Sequence, residues 1–351
     1  MLKFAIIGAG GWGHVHIENI LKNKQVSSIF FIDKNPDVLK SLQSEYGVDT
    51  KYCFTSLDKV LKSEKFDAAI IIVPNPHRIK IVEKLLAKNI HCLIEKPSAH
   101  SVKDLRLLKK AKENSKAILM VAQNYRFLKS AKYIRELITS GQAGAVRHIS
   151  LYFCRNEPFL AQKFYSQLTG PKVIALELGV HHIDLLNYFI GDCPEKIFGR
   201  TWHEEDDCIK ANCHLSALLI YPNNISVNYT STLMGKANHT NWTGRFEINC
   251  DNAHIVWDEN DKERIKVYKL KKDGRVNNHY KIYNLPPYPE NSVKGCQDAF
   301  IGAIKGSITE EAKGCLLDEN AKTLLTALAI HESGKKGKVI DFPEYFRKEY
   351  I

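Results

Sequence analysis

The sequence predicts an α/β protein in two parts: a doubly wound parallel sheet, then an α+β domain built on a mostly antiparallel sheet. Three observations point there. The first 124 residues alternate short β-branched runs with longer amphipathic stretches, the pattern changes near Tyr125, and after Gly191 strand-like runs follow one another without helices between them. At 351 residues, two domains are the natural division, here 1–124 and 125–351.

In the first part, Phe4–Ile7, Ser28–Ile32, Ala68–Val73, Ile90–Ile94 and Ala117–Ala122 read as strands. Helical patterns lie between them at His14–Lys22, Pro36–Tyr46, Leu57–Leu61, His77–Lys88 and Val102–Asn114. Strict alternation implies right-handed crossovers and a sheet covered on both faces. In the second part a helix is expected at Lys129–Thr139, a strand at Val146–Cys154 and a long apolar helix at Val173–Ile190. Strands then follow at Lys196–Thr201, Ile209–Tyr221, Asn224–Thr232, Thr243–Cys250, Ala253–Asp258 and Arg264–Lys269. Helices at Val293–Lys305 and Asp318–Lys335 precede a short strand, Val339–Phe342.

Composition narrows the function classes. The chain is 44% hydrophobic and 25% charged, ordinary for a globular protein. Its longest clean apolar run, Ala68–Val73, is far too short to span a membrane, and no targeting segment is visible. The net charge of +11 comes from lysines dispersed over helical surfaces, which argues against nucleic acid and leaves a mild bias toward a phosphorylated, nucleotide-linked or carboxylated substrate. Nine scattered cysteines without a Cys-x-x-Cys pair read as reduced thiols in a cytoplasmic protein. His203, Cys208, Cys213 and His214 are the nearest approach to a metal cluster, but their spacing matches no usual pattern, so no metal is expected.

The first chemical motif is Gly8-Ala9-Gly10-Gly11-Trp12-Gly13, which fits G-x-G-x-x-G. A strand runs into it and a helix leaves it, the context in which glycines let the backbone approach a pyrophosphate at a helix N-terminus. Asp33 ends the next strand about 20 residues on, where a carboxylate accepts from the adenine-ribose hydroxyls of a Rossmann dinucleotide site. A carboxylate there repels a 2′-phosphate, so NAD is expected over NADP, with Lys34 the one neighbour able to soften the preference. The second motif, Glu95-Lys96-Pro97, closes the fifth strand, where ligands of open parallel sheets bind. The third lies in the apolar helix. Glu177, His181 and Asp184 fall at i, i+4 and i+7, on one helical face. Buried charged groups need partners, so the three together suggest a polar site in which a carboxylate orients a histidine base. Gly179 in mid-helix implies that something packs closely there.

Together these stretches resemble the glucose–fructose oxidoreductase, inositol dehydrogenase and MocA-type family over nearly the whole chain. Gly8–His16, Asp33, Val73–His77, Glu95-Lys96-Pro97, Asn124-Tyr125-Arg126-Phe127, Gly179–Asp184 and Gly244–Ile248 carry the resemblance by order and spacing. It implies a large, open C-terminal sheet that serves as a subunit interface, and hence a homodimer or homotetramer. It implies reversible oxidation of a ring hydroxyl in a sugar, sugar derivative or inositol, with Pro74, Asn75, His77, Glu95 and Lys96 added to the cofactor contacts. Lys96 matches the lysine of the family's Glu-Lys-Pro motif, and His181 the histidine of its Asp-x-x-x-His motif. Two departures stand out: Glu177 replaces the usual Asp, and Pro171-Lys172-Val173 replaces three glycines. The resemblance also suggests a cis Lys96-Pro97 bond.

The expected chemistry has His181 as base, Lys96 donating a hydrogen bond to the same substrate oxygen, and Glu177 or Asp184 orienting His181 or holding a neighbouring hydroxyl. Arg126, Tyr165 and Lys172 complete the candidate substrate contacts. Two alternatives share this sequence pattern. One is an NAD-dependent glycosidase using transient oxidation. The other is a non-catalytic NAD-binding regulator, since the family is similar to a galactose-pathway repressor.

Overall fold

The structure is a computed structural model that describes residues 1–157, 173–209, 211–236, 239–260, 264–271, 275–283 and 292–351. In chain order the strands are β1 (Leu2–Ile7), β2 (Val26–Ile32), β3 (Cys53–Phe54), β4 (Ala68–Ile71), β5 (His91–Ile94), β6 (Leu119–Val121), β7 (Val146–Cys154), β8 (Lys196–Trp202), β9 (His214–Tyr221), β10 (Ile225–Thr232), β11 (Arg245–Cys250), β12 (Ala253–Asp258), β13 (Ile265–Leu270), β14 (Val276–Tyr283) and β15 (Ile340–Asp341). They form two sheets in two compact units.

The first unit comprises Met1–Asn124 and residues 291–321. Its six-stranded sheet has the order β3-β2-β1-β4-β5-β6, all parallel. Phe4, Ile6, Ile70, Ile71 and Leu93 are buried, as strands covered on both faces require. Helix boundaries follow local chemistry. Asn35 caps Pro36–Tyr46 by accepting from Asp37 N–H, and Ser101 caps Val102–Glu113 by accepting from Asp104 N–H. The two-residue β3 adds a strand to the five expected.

The expected division at residue 124 is redrawn in one respect: 291–321 belong with the first unit. Helix Ser292–Ile304 packs on helix Gly13–Ile20, and Phe300 meets Phe4 edge-to-face at 6.2 Å. The first sheet takes part of its cover from near the other end of the chain.

The second unit holds a nine-stranded sheet among the described residues, in the order β14-β13-β12-β11-β7-β10-β9-β8-β15. Only β7 and β10 pair in parallel, so the sheet is mostly antiparallel and open, as predicted. One face is apolar. Phe246 and Trp257 stack at 5.2 Å, and Phe189 of helix Val180–Ile190 meets both edge-on at 5.5 and 5.9 Å. The other face carries His148, Ser150, Thr230 and Asn228, with Phe198 and Leu218 paired across β8 and β9 and exposed at 51% and 41%. β14, helix Glu310–Cys315 and helix Phe342–Tyr350 were not anticipated. None of the nine cysteines forms a disulfide, and among the described residues no helix is long and apolar enough to cross a membrane.

Candidate active site

In the first unit the glycine loop fits a dinucleotide. Gly8 has φ +90°, and a Cβ there would lie 2.9 Å from the Ile72 carbonyl. A Cβ at Gly13 would lie 2.6 Å from the Gly8 carbonyl oxygen. Both positions therefore exclude side chains, one at the crossing to β4 and one where the helix closes on the loop. Above Gly10 and Gly11 the backbone is open: among the described residues, and apart from the glycine and its chain neighbours, nothing lies within 4 Å of a Cβ built at Gly11, and only the Val38 methyls lie that near at Gly10. Helix Gly13–Ile20 starts without a side-chain cap, leaving its N-terminus to an anion. Asp33, just past β2, is tied to this loop. Its Oδ2 accepts from Ala9 N–H at 2.9 Å and its Oδ1 from Asn35 N–H at 2.9 Å. Lys34, Pro74 and His77 are exposed, and the Trp12 side chain is half exposed.

The Glu95-Lys96-Pro97 turn follows β5, and the Lys96-Pro97 bond is cis, as expected. Arg78, which the sequence did not single out, clamps the turn. Its buried guanidinium donates to the carbonyls of Val73, Glu95 and Pro97. Asn75 is also buried and donates to the Pro97 carbonyl at 3.3 Å, which gives it a bracing role in this turn. The Glu95 carboxylate is engaged by three protein donors: Trp12 Nε1 at 3.2 Å, His16 Nε2 at 2.8 Å and Lys96 N–H at 3.1 Å. Burial alone would raise its pKa, but the hydrogen bond from His16 and the positive charges of Lys96 and Arg78 hold it below the usual carboxylate range. Lys96 itself is half buried.

In the second unit the expected apolar helix is present but is not one continuous α-helix. Ile174–Gly179 is π-helical and Val180–Ile190 is α-helical. The wider π turn shifts the register before Val180, and such turns occur often at functional sites. The Gly179 expectation holds: a Cβ there would lie 3.3 Å from the Ile174 carbonyl oxygen and 3.7 Å from the Tyr229 hydroxyl. Glu177 is half buried in a stretch that is otherwise buried. His181 is buried, and its ring stacks on Tyr125 at 4.2 Å with planes 13° apart.

Asp184 does not stand open to a ligand. It is fully buried, and Arg126 grips it with Nε and Nη2 at 2.9 and 2.7 Å. Burial raises the Asp184 carboxyl above its ordinary pKa against the pull of Arg126. The two expected substrate contacts are therefore engaged with each other, a bidentate pair bracing the helix beside His181. Tyr165 and Lys172 lie outside the described residues.

The neighbouring histidines have different environments. His182 is fully buried, with Nδ1 2.7 Å from the Tyr229 hydroxyl and Nε2 2.9 Å from the Trp242 carbonyl oxygen. The carbonyl can only accept, so Nε2 carries the proton and Nδ1 accepts from Tyr229. Burial lowers its pKa to about 4. The unfolded chain, with an ordinary histidine pKa near 6.5, binds the extra proton first, so acid favours unfolding. We expect His182 to cost on the order of 3 kcal/mol of stability as the pH falls from about 6.5 to about 4, and nothing above that window. Urea unfolding of wild type and His182→Gln across this range checks it. Equal pH slopes in the two proteins would refute the assignment.

Asp207, Cys213 and His214 bring their ligand atoms within 4.8 Å of one another, with Asp207 in place of the His203 and Cys208 that the sequence singled out. Asp207 Oδ2 accepts from Cys213 Sγ at 3.1 Å and pairs with His214 Nε2 at 3.0 Å, so hydrogen bonds already account for the cluster. Sequence reading also passed over Tyr125, although it lies inside the Asn124–Phe127 match, because an aromatic beside a histidine carries no periodic signal.

Comparison with known proteins agrees with this geometry. Residues 2–123 match the model of an oxidoreductase family with an NAD-binding Rossmann fold, and residues 131–256 match the GFO/IDH/MocA C-terminal domain. The chain is 22% identical to inositol 2-dehydrogenase of Rhizobium meliloti over 56% of its own length and 57% of that protein. It is 26% identical to glucose-6-phosphate 3-dehydrogenase of Bacillus subtilis over 54% and 53% respectively. These matches span only a little over half of either relative. The fold is that of an Agrobacterium radiobacter oxidoreductase crystallised with NAD+, L-tartaric acid and magnesium, with a TM-score of 0.82 at 19% identity, covering 98% of this chain and 99% of the other. A glycine loop shaped for a pyrophosphate, a matching Rossmann domain and a matching C-terminal domain lead to one conclusion: this chain belongs to the Gfo/Idh/MocA oxidoreductase family and binds NAD through its N-terminal domain.

Proposed function

We propose that the protein is a cytoplasmic NAD(H)-dependent dehydrogenase acting on a ring hydroxyl of a sugar, sugar derivative or inositol. The observation that carries this reading is the Lys96 turn. A half-buried lysine closes β5 in the sheet whose first loop is shaped for the dinucleotide, where ligands of such sheets bind. Bound NAD+ supplies a hydride acceptor. On this reading His181 takes the hydroxyl proton, Lys96 donates a hydrogen bond to the same oxygen, and Glu177 orients His181 or holds a neighbouring hydroxyl. The dehydrogenase names of the two relatives support the substrate class. Arg126 and Asp184 hold the helix rather than the substrate.

The test is turnover followed by nicotinamide absorbance over a panel of sugars, sugar phosphates, nucleotide sugars and inositols. Dehydrogenation of none of them would reject the reading, glycoside cleavage without net reduction would point to a glycosidase, and binding without turnover to a regulator. NAD+ is expected to bind more tightly than NADP+, because the Asp33 carboxylate sits against the glycine loop where a 2′-phosphate would meet it. Tighter NADP+ in a calorimetric titration would reverse this.

The protein is expected to form a dimer or tetramer of its own chain through the outer face of the second sheet. Phe198, Leu218 and Tyr152 are too apolar for a face fully in water. Sedimentation at micromolar concentration checks it, and a stable monomer would contradict it.

A further inference from the structure

One buried histidine of the first unit has no part in the reading above. His16 lies on helix Gly13–Ile20, one turn beyond the glycine loop, and is 1% exposed. Its Nε2 is 2.8 Å from Glu95 Oε1, and its Nδ1 is 3.2 Å from Gln297 Nε2. Gln297 Nε2 also lies 3.1 Å from the carbonyl oxygen of His16, an atom that can only accept. The amide nitrogen of Gln297 therefore faces the histidine and donates to Nδ1. A ring that accepts at Nδ1 carries its proton on Nε2, so His16 donates to Glu95.

Glu95 passes this constraint on in two directions. Oε1 also accepts from the indole N–H of Trp12 in the glycine loop, and Oε2 accepts from the backbone N–H of Lys96. One buried carboxylate thus joins the loop that faces the dinucleotide to the turn that presents the lysine. Without His16 that carboxylate would lose its shortest hydrogen bond while still enclosed in protein, and it would take up a proton or turn toward water. Protonation weakens the hydrogen bond that Trp12 donates and reorientation breaks it, so either change loosens the half-exposed Trp12 ring.

We infer that His16 is a positioning residue for the reaction: set in one tautomer by Gln297, it holds Glu95 so that Trp12 and the Lys96 backbone keep fixed places relative to one another. This rests on the reading of Lys96 as the group beside the reacting oxygen. The sequence shows only a histidine three residues after the last glycine of the loop, and nothing local links it to Glu95 or Gln297.

The experiment compares His16→Leu, which cannot donate, with His16→Gln, whose amide can. NAD+ affinity is measured by calorimetry, and Trp12 emission is taken as the difference between each protein and its Trp12→Phe counterpart. His16→Leu is expected to weaken NAD+ binding about 10-fold and shift Trp12 emission to the red, while His16→Gln stays within about threefold of wild type. A folded His16→Leu protein with unchanged affinity and emission would overturn the inference. So would a His16→Gln protein as impaired as His16→Leu, since packing rather than donation would then be at work. If His16→Leu does not fold, Gln297→Leu leaves the ring in place but frees its tautomer. A loss of about threefold in NAD+ affinity is then expected, and none would overturn the inference. Turnover of Lys96→Met separates the two readings. Should that variant remain active, the role of Lys96 fails, while affinity and Trp12 emission still report on the His16 network alone.

Discussion

His181→Ala is expected to bind NAD+ as wild type does and to lose about 10²–10⁴-fold in turnover, the usual worth of a positioned acid–base group. The reason is structural as well as chemical. His182, one residue on, cannot take over, because both its ring nitrogens are engaged, by Tyr229 and by the Trp242 carbonyl, and burial keeps it neutral. Asp184 cannot take over either, since Arg126 holds both of its oxygens. Removing the imidazole leaves the Tyr125 ring without its stacking partner, but the Arg126–Asp184 pair that braces the same helix stays in place, so the fold should survive. Parallel measurements of NAD+ affinity and turnover decide the matter. Near-normal turnover would move the role of base to Lys96 or Lys172.

Lys96→Met should be nearly as damaging, about 10²–10³-fold in turnover, the range seen when one donor to a developing oxyanion is lost. Methionine keeps the unbranched aliphatic stem and removes only the ammonium group. The backbone hydrogen bond from residue 96 to Glu95 does not depend on the side chain, and neither does the Arg78 clamp on the Glu95 and Pro97 carbonyls. A modest loss of NAD+ affinity is expected alongside. Turnover within a few-fold of wild type on a true substrate would remove Lys96 from the chemistry.

The sequence reveals the parts of this molecule whose signals are local. The Gly8–Gly13 loop, Asp33, the Glu95-Lys96-Pro97 turn and helices such as Pro36–Tyr46 and Lys129–Thr139 each carry their own spacing or cap. The hidden features depend on the fold. Glu177, His181 and Asp184 look equivalent on a helical wheel, yet Asp184 turns into a buried pair with Arg126, 58 residues away, while His181 stacks on Tyr125. The π turn at Ile174–Gly179 leaves no mark in a pattern of apolar residues. β3 is too short to show a period, and Arg78 reads as an ordinary surface cation on a helix until Val73, Glu95 and Pro97 converge on it.

The placement of helix Ser292–Ile304 against the first sheet bears on how the molecule is made. A ribosome delivers β1 through β6 long before it delivers Phe300 and Gln297, the side chains that cover Phe4 and fasten His16. Until then the nascent parallel sheet keeps apolar surface uncovered, the condition under which partly folded chains aggregate or recruit chaperones. A fragment ending at residue 124 should therefore be poorly soluble for all its regular pattern. Rejoining the 291–321 segment through a short linker is the design that would rescue it.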